Sequence, residues 1–409
     1  MTSSPEPAPL RVGLIGYGLA GSAFHAPLIA ATPALRLARV VTSRAERARQ
    51  AEREHPGVQV VQTPEQLWAR AAELDVVVVA SPNRTHVPLA RGALQAGLAV
   101  VVDKPLAASA AEARHLVEEA ERLQRPLSVF QNRRWDGDFL TLRRLLGEDA
   151  LGRVLRFESR FERWRPEVRP GWREQPAPED AGGLLYDLGS HLIDQALVLF
   201  GPARHVYAEL ERRRPGAEVD DDAFVALTHD AGVRSHLWMS AVAAQPGPRL
   251  RVLGSRAAYV KQGLDVQEAA LRRGLRPGEP GWGEEPEAAW GRLRSDDDAR
   301  AVRPAHTSGS TRCSPRRCAP ARRCPSTRAT RWRGWRSSRP RSAPPARGAS
   351  SASPRIDRAR HPVWTTSEAG VALQAARMPL GQARWACTHQ TEGATCRHAV
   401  SAQSNAEKT

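Results

Sequence analysis

Lysine is scarce in this sequence: Lys104, Lys261 and Lys408 stand against 57 arginines. Lys104 follows the apolar run Val100-Val101-Val102-Asp103 and precedes Pro105, so it closes a buried strand instead of joining a surface of arginines. An ammonium group at the carboxyl edge of a parallel sheet lies where such folds bind ligands. Further along, Gly182-Gly183 is followed by Asp187, His191 and Asp194, spaced i, i+4 and i+7 on one helical stripe. That stripe presents a carboxylate beside an imidazole, the side chain that titrates nearest neutral pH. The same spacing also fits a helix start with a solvated histidine. A third set, Gly16, Gly18 and Gly21, has G-x-G-x-x-G spacing. The first glycine permits a tight turn, the second admits a pyrophosphate to the backbone, and the third lets helix and strand pack closely. The helix start beyond them offers unpaired amides to phosphate oxygens. A dinucleotide site is the expectation.

Which dinucleotide is read from the end of the second strand, Val40-Val41-Thr42-Ser43-Arg44. An NAD site usually places an acid there to accept from the ribose 2′-hydroxyl. None is present. Ser43 and Arg44 would instead bind the 2′-phosphate of NADP, so NADP is expected over NAD. The alternative is that Arg44 is one more surface arginine.

The elements that must hold these residues follow from periodicity. Short apolar runs at residues 12–15, 35–41, 58–61, 76–80, 100–102 and 127–130 alternate with helical patterns. Strands that are apolar throughout and separated by helices imply a parallel sheet covered on both faces. This predicts a doubly wound Rossmann domain over residues 11–130, after a disordered N-terminus at 1–10. From 131 to 298 the strands alternate in polarity, at 155–164, 206–210, 223–228, 234–239, 250–253 and 257–260, with short connections and one long helix at 189–200. That pattern predicts an α+β domain with a largely antiparallel open sheet.

The net charge of +16 is not spread evenly. Residues 1–298 hold 39 basic and 40 acidic side chains, while residues 299–409 hold 21 basic and four acidic ones, with all five cysteines. Residues 303–355 contain no Ile, Leu, Val, Met or Phe. Such a stretch buries too little to offset an ordering cost of about 1 to 2 kcal/mol per residue, so a disordered tail is expected. Cys313, Cys318 and Cys324 lack zinc-finger spacing, and no metal is expected. A nucleic-acid-binding arm should carry lysines and interleaved aromatics, whereas only Trp332 and Trp335 qualify. A shifted reading frame accounts for the tail better, because one single-base-shifted decoding of residues 323–353 reads as a helix, a glycine stop and a strand. No window resembles a membrane span and no secretory leader opens the chain, so a cytoplasmic protein is expected.

Taken together, Gly16-x-Gly18-x-x-Gly21, Ser81-Pro82-Asn83-x-x-His86, Asp103-Lys104-Pro105 and Gly182-Gly183 with Asp187 and His191 resemble the Gfo/Idh/MocA oxidoreductases. Within that family the stretches at residues 16–29, 132–145, 163–174, 183–201 and 263–274 are most similar to NADP-dependent scyllo-inositol dehydrogenases and their relatives. The likeness runs from about residue 11 to about 298. Asp103 stands where the family usually has Glu. The resemblance implies hydride transfer between NADP and a secondary alcohol of an inositol or related sugar. It assigns His191 as acid/base, Asp187 as its orienting partner or as binder of a second hydroxyl, and Lys104 as holder of the reacting oxygen and contact to the nicotinamide ribose. The glycine loop with Tyr17, and Pro82, Asn83 and His86, would line the cofactor cleft. Asn132, Arg133, Trp135, Trp172 and Tyr186 would grip the polyol, and the open sheet face would join copies of the chain. The competing expectation is a cofactor-binding protein without turnover, with a nucleic-acid-binding tail behind it.

Overall fold

Buried valine-rich runs build the first sheet. The computed structural model describes residues 8–296, 298–305 and 384–386. Strands β1 (Leu10–Ile15), β2 (Leu35–Val41), β3 (Gln59–Val61), β4 (Val76–Val79), β5 (Ala99–Asp103) and β6 (Leu127–Phe130) are all parallel, in the order β3-β2-β1-β4-β5-β6. All four β4 valines are buried because helices cover both faces. These helices are α1 (Ala26–Ala30), α2 (Ala45–Glu54), α3 (Pro64–Trp68), α4 (His86–Gln95) and α5 (Ala110–Arg122). The strand order reverses between β1 and β4, so the loops after those strands diverge and open a crevice at the carboxyl edge.

The second sheet contains β7 (Val154–Glu162), β8 (Ala203–Glu211), β9 (Asp222–His229), β10 (Arg234–Ser240), β11 (Leu250–Gly254), β12 (Ala258–Lys261), β13 (Gly291–Arg294) and β14 (Ala299–Val302). Its order is β14-β13-β12-β11-β7-β10-β9-β8, with β15 (Arg384–Ala386) paired to β8. Every pair is antiparallel except β7 with β10. Period-two alternation sends Phe157, Phe161, Val225, Leu227, Leu237 and Met239 inward. They pack on α6 (Gly137–Gly147) and α7 (Ser190–Phe200) through Leu142, Leu145, Leu192, Ile193 and Ala196. The other face carries Glu158, Arg160, Phe224, His236 and Trp238, with the Arg160 guanidinium 3.9 Å from the Trp238 ring. A short α8 (Gln267–Arg272) leads a long loop back towards the first domain.

The sheet extends past residue 298, where its end was expected, because β14 continues the antiparallel ladder from β13. Leu10, expected within the disordered N-terminus, starts β1; residues 1–7 of that segment and the expected disordered tail beyond residue 305, apart from β15, lie outside the described residues. Among the described residues no helix is long and apolar enough to cross a membrane.

Candidate active site

Two of the helices beside the candidate site, α1 and α7, begin with a wide, π-type turn. Ala20–His25 leads into α1, and Leu185–Gly189 leads into α7. Such turns re-aim side chains by widening the helix locally. Asp187 therefore lies in the wide turn, outside the regular helix expected from the spacing, while His191 lies in the first turn of α7. The two sit together with Lys104, which immediately follows β5. Lys104 Nζ donates to the Asp187 backbone oxygen at 2.5 Å and to its Oδ1 at 3.0 Å. Arg173 Nε also donates to that Oδ1, at 3.2 Å. Asp194, the third member of the stripe, turns away to a bidentate pair with Arg134.

Burial alone would raise the Asp187 pKa, but Lys104 and Arg173 outweigh it and hold the carboxyl below the usual range. His191 is 5% exposed, and its Nδ1 is buried without a hydrogen-bond partner. Burial first, then Lys104 and Arg133, push its pKa well below the ordinary imidazole value, against an opposing pull from Asp187. The imidazole is thus neutral near pH 7 and can accept a proton.

The glycine loop has the geometry of a phosphate cradle. Gly16 adopts φ +96°, which favours glycine, and a Cβ there would run into the Ala80 carbonyl. A Cβ on Gly21 would strike the Gly16 carbonyl oxygen. The guanidinium of Arg47, on α2, lies over Gly18, with Nη1 3.3 Å from where a Cβ would stand. Ser43 and Arg44 are exposed at the end of β2, beside this loop. Two glycines that admit no side chain, with the Arg47 guanidinium over Gly18 between them, fit a dinucleotide held by its phosphates.

Other expected cleft residues support it from beneath. The Tyr17 ring is buried in the core, and its hydroxyl donates to Glu54 Oε2 at 2.7 Å, because the turn at Gly16 swings it under the sheet. Only its backbone belongs to the loop. Asn83 is buried and donates to the Asp180 backbone oxygen at 2.9 Å. The His86 ring nitrogens face the carbonyl oxygens of Pro105 and Ser81 at 2.7 and 2.9 Å, so the ring ties two loops together below the cleft. Pro82 leads the short turn that contains Asn83.

The five residues expected to grip substrate divide into two groups. Asn132, Arg133 and Trp135 line a cavity of about 310 Å³ together with Phe24, Glu268 and Trp282. Arg133 is paired with Asp136 and Glu268 and lies over Phe161, 5.4 Å from the ring centroid, which makes it a buttress. Trp172 carries the Arg173 guanidinium at 4.2 Å, and the Tyr186 hydroxyl donates to the Ala108 backbone oxygen, so these two flank Asp187.

Four contributors escaped sequence reasoning. Besides Arg47 and Arg173, His25 Nε2 lies 3.8 Å from Asp103 Oδ2 and the His25 ring packs on Phe130. Asp220 caps the wide turn, its Oδ2 accepting from the Leu185 amide at 2.7 Å and its backbone oxygen from Leu184 at 2.9 Å. No local pattern marks these residues, because their partners are distant in the chain. The π-type start of α1 and the cap on Leu185 become visible only once the sheets are assembled.

Comparison with known proteins bears on this arrangement. Residues 10–131 match the oxidoreductase family with an NAD-binding Rossmann fold, and residues 139–260 match the GFO/IDH/MocA C-terminal domain. The uncharacterized oxidoreductase YdgJ of Escherichia coli (strain K12) is 48% identical over 274 residues, covering 67% of this chain and 77% of that protein. The scyllo-inositol 2-dehydrogenase (NADP(+)) IolW of Bacillus subtilis (strain 168) is 37% identical over 285 residues, covering 69% of this chain and 77% of that protein. The solved structure of the putative oxidoreductase yvaA from Bacillus subtilis superposes with a TM-score of 0.69 at 34% identity, covering 74% of this chain and 86% of that one.

Proposed function

The chain belongs to the Gfo/Idh/MocA family of oxidoreductases, and on that premise we propose that it interconverts a secondary alcohol and a ketone on an inositol or related sugar in the cytoplasm, using NADP. The observation that carries this reading is the cluster of Lys104, Asp187 and a neutral, buried His191 beside the carboxyl edge of the first sheet. The chemistry that a bound nicotinamide would supply is acceptance or return of the carbinol hydride. The protein supplies the rest. His191 accepts the hydroxyl proton as a general base and returns it in reduction. The Lys104 ammonium directs a hydrogen bond to the reacting oxygen and stabilises negative charge there. Asp187 fixes that ammonium from two oxygens and limits how far the imidazole's basicity is depressed. Ser43, Arg44 and Arg47 supply the donors for a 2′-phosphate, and the glycine loop receives the pyrophosphate.

NADP is favoured over NAD because no carboxylate ends β2 and two arginines stand there, in keeping with the cofactor named for IolW. The polyhydroxy substrate is supported by the same relative. Self-association through the polar and aromatic outer face of the second sheet belongs to this reading, and light scattering of the purified protein measures it. The function itself is tested by following NADPH formation with scyllo-inositol and a panel of sugars. No turnover of any secondary alcohol, with NADPH still bound, removes the proposed reaction.

A further inference from the structure

On β7 the inward positions are Phe157, Ser159 and Phe161, all buried against the helices. The next inward position is Arg163, since backbone pairing continues there: its amide donates to the Ser240 oxygen at 2.9 Å and its oxygen accepts from Ala243 at 3.1 Å. Phe161 makes an edge contact with the His191 ring, 6.3 Å between centroids, so Arg163 extends the wall that His191 already faces. Its Nε is buried without a hydrogen-bond partner. Four cations around the site have carboxylate partners: Lys104 and Arg173 share Asp187, Arg133 has Asp136 and Glu268, and Arg249 has Asp138. Arg163 makes no ion pair among the described residues. A buried donor left unpaired is costly and calls for a partner that binds there.

We propose that Arg163 is a specificity-determining residue that grips two adjacent hydroxyls of the substrate ring. This deepens the functional reading above and rests on it. A guanidinium presents parallel N–H groups in a rigid fork, and a cyclitol or pyranose offers matching oxygens on neighbouring carbons. A carboxylate would fit the same fork, so an acidic sugar is the competing occupant that the test must separate from the neutral ring.

The test uses the full chain with NADP, scyllo-inositol, its analogue lacking one hydroxyl, and glucuronate. Saturation-transfer NMR of ligand binding gives a readout apart from turnover. Arg163→Ala is expected to raise KM for scyllo-inositol about 10- to 100-fold, with a smaller change in kcat. It should also weaken the NMR signal and lose discrimination against the deoxy analogue, while Arg163→Lys recovers part of each. Stabilisation by NADPH should match the parent protein. An unchanged KM in an active Arg163→Ala protein overturns this assignment alone. So does loss of NADPH stabilisation in step with KM, which marks a structural role, and so does a preference of the parent protein for glucuronate. A parent protein that neither binds nor oxidises any polyol overturns the functional reading, and this inference with it.

Discussion

Lys104, Asp187 and His191 form a unit in which charge balance sets reactivity. Lys104→Met or His191→Ala is expected to lower kcat at least about 100-fold while NADPH still raises the melting temperature. Retained turnover would remove either residue from the chemistry. Because burial and neighbouring cations depress His191, the acidic limb of kcat/KM should fall below the ordinary imidazole value of 6.5. The same depression links stability to pH. The unfolded chain takes up a proton as pH drops below 6.5 and the folded one does not, so the contribution is complete above 6.5 and is lost towards the lower folded value. Urea melts between pH 5 and 8 should show this slope in the parent and less of it in His191→Ala. Arg44→Ala and Arg47→Ala should each weaken NADPH much more than NADH, and equal losses would undo the cofactor assignment. That Lys104, Asp187 and His191 gather in one place was legible because a lone lysine ending a strand and an Asp-His pair after two glycines are unusual in type and place. Arg47 was hidden among many arginines, and only the path of α2 shows that it overhangs Gly18.

The wide turn at Leu185–Gly189 depends on what lies under it. Gly183 has φ +92°, and a Cβ there would strike the Asp220 carboxylate. Gly183→Ala should therefore strain the backbone and displace the Asp220 cap, lowering the melting temperature and kcat together; a neutral outcome would show that the turn tolerates rearrangement. Burial pushes the Asp220 pKa up to about 6, against the amides that lower it. A raised folded value means that its contribution is complete below 3.8 and declines as pH rises through 6. Relative to Asp220→Asn, which keeps the acceptor without the charge, the parent should lose stability over that window, as paired thermal melts would show. Strand positions and the parallel-then-antiparallel order were readable from periodicity, because burial on one or both faces leaves a pattern in the sequence. The wide turns left none. They arise when a helix must meet a tightly packed loop, a tertiary demand with no periodic signature. The side-chain partners of Tyr17, Asn83 and His86 were hidden for the same reason: a motif shows which residues gather near a cleft and not which way each side chain turns.

The two domains are joined at several points around the cleft. Arg84 pairs with the wholly buried Asp180, Asn83 bonds to the Asp180 backbone, and Lys104 reaches across to Asp187. Replacing Arg84 by Met should lower the melting temperature and weaken coupling between the halves, which calorimetry would register as a broadened or divided transition. Composition had located the charge imbalance, and the front of the chain supplies all of the first sheet and most of the second. The limit at residue 298 was drawn from dwindling likeness, and β14 shows that sheet pairing carries further. The Lys104 bridge has one more outcome. Because that single ammonium spans the gap and also serves the reacting oxygen, a small alkylamine added to Lys104→Ala could refill the reagent's place without restoring the tether. Partial chemical rescue with an unrepaired, more protease-sensitive junction would separate the two duties of one side chain.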